Sequence, residues 1–265
     1  MPLPGYRFVE ENLRTAMSCF AAAKPEGEAI DTPGLRLVFT GVPYAVFNAV
    51  MLTEAAGTLA DLRRRLDRAK DYFTRRQAPW SLWLCEDLLD RHVLNLAPAL
   101  MAEYGLEFSA RPPGMLAEAL QPPQRPMPGL EFRAVDGVAA RVDFCHVMAM
   151  AFEGPFAGLM EAYNSEAFWR AGFQGVLGYR DGRAVTTACT VASETAIGLY
   201  AVATLPGEQR RGYGEAVMRE AVTRAQARGT LERVVLQSTP KGVSIYQRMG
   251  FAHVADFTIY VSAKG

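Results

Sequence analysis

The second half of the chain alternates between two spacings of apolar residues, and their order predicts a sheet interleaved with helices. Over residues 138–151 the apolar side chains recur at helical spacing, with Phe144, Val147 and Met148 on one side. Asp181-Gly182 separates two apolar runs and is typical of a hairpin turn. The predicted strands are 130–135, 175–179, 183–191, 197–203, 233–237 and 251–261, and the predicted helices are 138–151, 165–171, 212–228 and 243–249.

The first half repeats the end of this pattern. Its predicted elements are a basic amphipathic helix at 61–76, a strand at 80–84, a helix at 91–103, and apolar segments at 105–108 and 115–120. The last two fall where Gly250-Phe251 and the final strand fall in the second half. The sequence therefore predicts an internal repeat of one fold.

A linker separates the two copies. Residues 121–129 contain four prolines and one glycine, a composition that suits neither a helix nor the interior of a sheet. We therefore predict two domains, residues 1–125 and residues 126–265.

Composition narrows the class of protein. Hydrophobic residues make up 50% of the chain, as in globular proteins, and the 28 basic residues balance the 28 acidic ones, which disfavours nucleic acid and anionic membranes as partners. The chain starts without a signal-peptide pattern and has no apolar run long enough to span a membrane. The four cysteines lack metal-site spacing. We expect no bound metal, free thiols and a cytoplasmic location.

The segment Gln209-Arg210-Arg211-Gly212-Tyr213-Gly214 carries the clearest chemical signal. It lies between an apolar strand and a long predicted helix. The first turn of a helix offers unpaired backbone N–H groups and the positive end of the helix dipole. Gly212 and Gly214 keep side chains away from those groups, and Arg210 and Arg211 can add charge-assisted hydrogen bonds. The segment therefore predicts a diphosphate site.

This loop resembles the Gln/Arg-x-x-Gly-x-Gly/Ala pattern of the GNAT (GCN5-related N-acetyltransferase) superfamily. The likeness extends to the strand before the loop and to the closing motif Tyr246-x-x-Met249-Gly250-Phe251. It implies an α/β (α+β) fold with a mixed, mostly antiparallel sheet flanked by helices, here as two tandem GNAT-like domains. It also implies acetyl-CoA as co-substrate. The first half resembles a degenerate copy, because its segment 53–58 lacks the paired arginines and the Gly-x-Gly.

The resemblance also implies roles for individual residues. In the family the strand before the loop presents free backbone groups to the pantetheine arm, and one N–H, here that of Val202, serves as the oxyanion donor. Tyr246 matches the family's general acid for the departing thiolate, and Glu153 is the candidate general base. The implied cofactor-binding residues are Tyr200, Ala201, Val202, Ala203, Gln209, Arg210, Arg211, Gly212, Tyr213, Gly214, Gln237 and Ser238.

Other interpretations stay open for several of these residues. Tyr246 also fits a core position, and a glycine-containing helix start with solvated arginines would look like the loop. Glu161, Glu194, a water chain or selection of the neutral amine would serve as well as Glu153, and each of the three glutamates also fits a solvated surface position without a catalytic role. Phe152, Phe156 and Trp169 fit either the wall of an acceptor pocket or the core. Dinucleotide and P-loop motifs fit less well, because Val217 stands where the first needs Gly or Ala and the Gly-Lys-Ser/Thr ending of the second is absent.

The predicted function is transfer of an acetyl group from acetyl-CoA to a primary amine of a small molecule. An acyl-CoA-binding sensor without turnover is the alternative from another class, and a protein or peptide N-acetyltransferase is a further one. The neutral net charge disfavours a highly basic protein acceptor. A homodimer is one option for assembly.

Overall fold

The computed structural model describes residues 3–262. The helices are α1 Gly5–Ala22, α2 Leu59–Arg75, α3 Arg91–Glu103, α4 Gly137–Phe152, α5 Phe156–Tyr163, α6 Glu166–Arg170, α7 Tyr213–Gln226 and α8 Val243–Arg248. The strands are β1 Glu28–Thr32, β2 Leu35–Phe39, β3 Ala49–Leu52, β4 Ser81–Cys85, β5 Leu106–Ala110, β6 Pro113–Ala117, β7 Glu131–Ala134, β8 Phe173–Arg180, β9 Arg183–Ala192, β10 Ile197–Thr204, β11 Val234–Gln237 and β12 Ala252–Ser262. Short 3₁₀ turns occupy Ala45–Phe47, Glu86–Leu88 and Pro206–Glu208.

Strands from both halves join in one sheet. Their order is β1-β2-β3-β4-β12-β6-β11-β10-β9-β8-β7, and β5 pairs with β12 beside this path. The pairs β3–β4 and β10–β11 are parallel, and the other pairs are antiparallel. The predicted mixed, mostly antiparallel sheet is confirmed. Each parallel pair is connected through one helix, α2 or α7, so the same unit occurs in both halves.

The two halves exchange their last strands. β6, from the first half, lies between β11 and β12 and pairs Gly114 with Gln237. β12, from the end of the chain, pairs with β4 of the first half from Phe257 to Val261. The division at residue 125 stays a prediction, and backbone pairing crosses it in both directions. Each half of the sheet therefore depends on a strand that the other half supplies.

Helices cover both faces of the second half of the sheet. α7 packs on one face, where its Val217 and Met218 join Leu199 and Leu236 in a buried cluster. α1 and α4 pack on the opposite face, where Leu13 and other buried side chains form the larger core. A helix of the first half therefore covers strands of the second half.

Most elements lie within a few residues of their predicted bounds. The predictions omitted α1, α5 and strands β1 to β3, which the structure adds. Residues 121–129 form neither helix nor strand, as predicted for the linker, and Gln121 accepts a hydrogen bond from Arg219 of α7 at 2.7 Å. Within the described residues, none of the helices combines the length and the apolar character that crossing a membrane requires.

Candidate active site

The strand β10 leaves its neighbour β11 after two paired residues. The parallel pairing joins Ile197 to Val234 and Gly198 to Val235. Farther along β10, the register with β9 shifts between Tyr200 and Ala203, and Ala201 has a positive φ of 50°. A bulge of this kind turns the backbone and bends the strand. The sequence-predicted residues 200–203 therefore lie where β10 diverges from β11 and where its backbone leaves the regular ladder.

The phosphate-binding loop predicted from the sequence begins where β10 ends. Gln209 connects loop and strand, since its Nε2 donates to the carbonyl oxygen of Thr204 at 3.2 Å. Arg210 and Gly212 both have positive φ, 62° and 80°, so the chain turns sharply into α7. A Cβ on Gly214 would lie 3.5 Å from Oγ1 of Thr204, at ordinary contact distance.

The N-terminus of α7 is open to an anion. Gly212 occupies the N-cap and no side chain caps the helix. The first backbone hydrogen bond into the helix runs from the N–H of Ala216 to the carbonyl of Gly212 at 3.0 Å. The preceding N–H groups are therefore those that a helix start leaves without an intrahelical partner. Together with the helix dipole they favour a negatively charged ligand.

Arginines surround this helix start. The guanidinium groups of Arg180 and Arg211 each lie 3.5 Å from the Glu208 carboxylate, and Arg180 donates to the Tyr213 hydroxyl at 3.0 Å. A groove of about 410 Å³ borders the loop. Three arginines and two carboxylates line it: Arg180, Arg183, Arg211, Asp181 and Glu208. The basic groups outnumber the acidic ones, so the surroundings add to the attraction that the helix start exerts on an anion.

Gln237 and Ser238 stand at the end of β11, across the divergence from β10. Gln237 pairs with Gly114 of β6, and the Ser238 N–H donates to the carbonyl of Pro113 at 2.9 Å. Ser238 is buried, and its hydroxyl donates to the carbonyl of Thr239 at 2.7 Å. The strand from the first half therefore holds this side of the divergence in place.

Tyr246 lies in α8 with its ring against Phe251, at 5.7 Å between centroids and 71° between planes. It is 8% exposed, and burial raises the pKa of its hydroxyl to about 12. A Cβ on Gly242 would overlap the tyrosine ring, so the glycine makes room for it. Among residues 3–262 the hydroxyl has no hydrogen-bond partner. The hydroxyl is therefore protonated at neutral pH, and its raised pKa makes it a weaker acid than an exposed tyrosine.

The predicted acceptor-side residues fall into two groups. Trp169 is partly buried against the core, where its Nε1 donates to the carbonyl of Tyr163 and its ring packs edge-on against Phe144. Phe152 and Phe156 are exposed at the turn between α4 and α5. Glu153 lies in the same turn as the left-handed C-cap of α4, with an exposed side chain. The structure thus places Glu153, Phe152 and Phe156 together and Trp169 apart from them.

The corresponding helix start in the first half is closed. The Thr58 hydroxyl caps α2 by accepting from the N–H of Asp61, and Asp61 adds a negative charge to the first turn. Buried Arg65 donates to the carbonyls of Glu54 and Ala55 at 2.7 and 2.9 Å. The Ala56 N–H donates to the carbonyl of Leu88 at 2.8 Å, which joins the segments that follow β3 and β4. A side-chain cap on α2 and a backbone bond between the segments after β3 and β4 therefore occur where α7 has no such cap and where β10 has separated from β11.

Comparison with known proteins identifies the second half. Residues 143–251 match the acetyltransferase (GNAT) family model. These residues form a GNAT domain. The predicted resemblance is confirmed, and the loop, β10, β11 and Tyr246 all lie within the matched residues. No curated protein matches the chain.

Solved structures share the fold over nearly the whole chain. A GCN5-related N-acetyltransferase from Kribbella flavida is 19% identical, with a TM-score of 0.71 and 96% of each chain covered. A tandem GNAT protein from the clavulanic acid biosynthesis pathway is 11% identical, with a TM-score of 0.57, over 97% of this chain and 96% of that one. A putative GNAT-family acetyltransferase from Novosphingobium aromaticivorans is 14% identical, with a TM-score of 0.55 and 96% of each chain covered. The predicted fold class is confirmed, and one of the structures that share it is a tandem GNAT protein.

The sequence predictions missed the contribution of α1 to the GNAT domain. Asn12 of this helix is fully buried and bonds to three residues of the second half. The sequence does show an asparagine beside apolar residues at helical spacing, which is a readable signal. Nothing in the sequence indicates which strands the helix would cover.

Proposed function

We propose that the second half transfers an acetyl group from acetyl-CoA to a primary amine of a small molecule. In this proposal the amine attacks the thioester directly while both substrates are bound. The N-terminus of α7 holds the diphosphate, the backbone of residues 200–203 lies along the pantetheine arm, and the Val202 N–H stabilises the oxyanion. The first half binds no cofactor of its own. A cytoplasmic location, suggested by the four free cysteines, belongs to the same proposal.

One observation carries the proposal: an uncapped helix start lies directly beyond a strand that separates from its parallel neighbour. The open terminus of α7 offers a site for two phosphates, and the divergence of β10 from β11 after Gly198 exposes backbone groups along a gap. An elongated ligand with a diphosphate at one end and an amide-containing arm at the other matches both features. Acetyl-CoA has this shape and chemistry.

The experiment that tests the proposal measures binding first and chemistry second. Calorimetric titration with acetyl-CoA should show one site per chain. Release of free thiol from acetyl-CoA is then followed across a panel of small amines, with acetate and free CoA as blanks. Binding together with amine-dependent release supports the enzyme. Binding without release from any amine supports the sensor, and absence of binding refutes the proposal.

Tyr246 is proposed as the acid that protonates the departing thiolate. Its pKa of about 12 keeps the hydroxyl protonated at neutral pH. The ordinary pKa of a thiol is about 8.5, so the transfer is uphill in water and the site has to favour it. We expect Tyr246→Phe to lower turnover by roughly 10²-fold, because the proton donor is lost.

The same variant should bind acetyl-CoA almost as the wild type does, because the ring and its contact with Phe251 remain. Calorimetry measures binding and thiol release measures turnover. Turnover in the wild type should show no loss from ionisation of Tyr246 between pH 6 and about pH 9, since the hydroxyl ionises only near its pKa. Unchanged turnover in Tyr246→Phe would remove the residue from the mechanism.

Glu153 is proposed as the general base, acting on the amine through water from its exposed position. An ammonium of pKa near 10 is largely protonated at pH 7, so a base has the most to contribute there. We expect Glu153→Gln to lower kcat/KM by about ten-fold at pH 7 and by less at pH 9, where more of the amine is neutral. The pH profile with one responsive amine measures this. An equal loss at both values would show that the carboxylate acts in another way.

A further inference from the structure

The first half of the chain reaches the proposed cofactor site through α1. This helix packs against β9, β10, β11 and β6 on the face of the sheet opposite α7. Asn12, near its middle, is fully buried. A buried amide costs free energy unless its donors and its acceptor are paired, so its partners show what holds it in place.

All of its partners lie in the second half. The Asn12 amide nitrogen donates to the carbonyls of Val191 and Ala196, each at 3.1 Å. Its oxygen accepts from the Tyr200 hydroxyl at 2.7 Å. A Cβ on Gly198 would overlap this same oxygen. Gly198 is the last residue of β10 that pairs with β11, so the Asn12 amide lies against the point where the two strands diverge.

The same helix also contacts the other strand. One turn before Asn12, the backbone carbonyl of Val9 accepts from Nε2 of Gln237 at 3.5 Å. Gln237 is the last residue of β11 and is one of the cofactor-binding residues that the family resemblance implies. α1 therefore bonds to β10 through Asn12 and to β11 through Val9, from one side of the gap.

Only an amide meets this combination of partners. Two carbonyl oxygens require two donors, and the tyrosine hydroxyl requires an acceptor, which asparagine supplies in one short side chain. Aspartate would bring no N–H donor. Leucine would leave the Tyr200 hydroxyl without its acceptor and would remove one donor from each carbonyl, although the Ala196 carbonyl would keep its bond from the Ser193 N–H. The side chain thus fixes the end of β9, the start of β10 and the Tyr200 ring in one arrangement.

We propose that Asn12 is a positioning residue that sets the gap between β10 and β11, so that the first half forms part of the second half's site. This inference rests on the proposed function, because the gap is taken to hold the pantetheine arm of acetyl-CoA. Asn12 acts through Tyr200 and Gly198, whose backbone borders the gap. The phosphate-binding loop at the start of α7 makes no hydrogen bond to α1 among the described residues. Replacing Asn12 should therefore weaken binding of the pantetheine arm more than binding of the nucleotide end of the cofactor.

The test compares two ligands by calorimetry at a temperature where circular dichroism shows each variant folded. Acetyl-CoA contains the arm, and 3′-phosphoadenosine 5′-diphosphate contains the diphosphate without it. Asn12→Ala should weaken acetyl-CoA binding by about ten-fold or more and change binding of the armless nucleotide by less than about two-fold. Tyr200→Phe, which removes one hydroxyl, serves as a second variant if Asn12→Ala does not fold, and should give the same split with a smaller loss.

Ser18→Ala is the matched control on the same helix. The Ser18 hydroxyl donates to the carbonyl of Arg14 at 2.7 Å and accepts from Arg36 of β2 at 2.8 Å, so Ser18→Ala removes a contact between α1 and β2 without touching the gap. It should bind both ligands as the wild type does. Unchanged acetyl-CoA affinity in the test variant, or equal losses for both ligands, would overturn the inference. If the wild type binds neither ligand, the proposed function fails first and the inference falls with it.

Discussion

Gly214→Glu is expected to abolish most of the affinity for acetyl-CoA. Gly214 lies in the first turn of α7, at the uncapped end where the backbone N–H groups are available. A carboxylate placed there would occupy the anion site itself and repel a diphosphate. We expect the Kd for acetyl-CoA to rise by about 100-fold or more, which corresponds to at least ~2.7 kcal/mol. Isothermal titration measures this directly.

Gly214→Ala is its matched control. A Cβ at this position meets only the Thr204 hydroxyl oxygen, at an ordinary contact distance of 3.5 Å, so alanine fits without rearrangement. Its acetyl-CoA affinity should stay within about three-fold of the wild type. An added glutamate at a helix N-terminus favours the helix, so Gly214→Glu should lose binding without losing thermal stability. Affinity preserved in Gly214→Glu would place the diphosphate elsewhere and refute the proposed site.

The glycine-rich loop 209–214 and the helix that follows it were predictable because their signal is local. Gly212 and Gly214 stand close together in sequence beside two arginines, and the loop's proposed function depends on the helix that begins there. Strand β10 was predictable for the same reason, as a continuous apolar run. The bulge at Ala201 was not predictable, since alanine has no preference for the positive φ observed there. That conformation is set by pairing with β9, which the sequence of β10 alone does not contain.

The role of α1 depends on contacts between distant parts of the sequence. Val9, Leu13, Ala16 and Phe20 follow helical spacing, so the helix itself had a readable signal. The sequence had no signal for the residues that α1 contacts, because Asn12 and Tyr200 are 188 positions apart. The exchange of β6 and β12 is non-local in the same way, since either strand would look the same in sequence if it paired within its own half.

Because the halves exchange strands, we expect them to unfold together in one thermal transition. We expect Phe257→Ala to lower the midpoint temperature of that transition. Phe257 is 1% exposed, pairs with Cys85 of β4, and lies so close to Gly114 of β6 that a Cβ there would be 2.8 Å from its ring. It therefore packs where strands of both halves meet. Truncating such a side chain removes buried contacts and leaves a cavity, at a cost of about 3–5 kcal/mol. At roughly 2–4 °C per kcal/mol, the transition should move down by about 10 °C.

Phe108→Ala provides the comparison, because it removes the same side chain from β5, a neighbour of β12, at a position that is 64% exposed. Its effect should stay within about 0.5 kcal/mol. Scanning calorimetry should show one unfolding transition in the wild type and in both variants. In the proposed function acetyl-CoA binds the second half, and it should raise the midpoint temperature of that one transition without splitting it. Two separate transitions, with only one lowered by Phe257→Ala, would mean that the exchanged strands do not couple the halves. In the proposed function, coupling of this kind lets a copy without a cofactor site contribute to the site of the other copy, because β6 supports the end of β11 and α1 bonds to both β10 and β11.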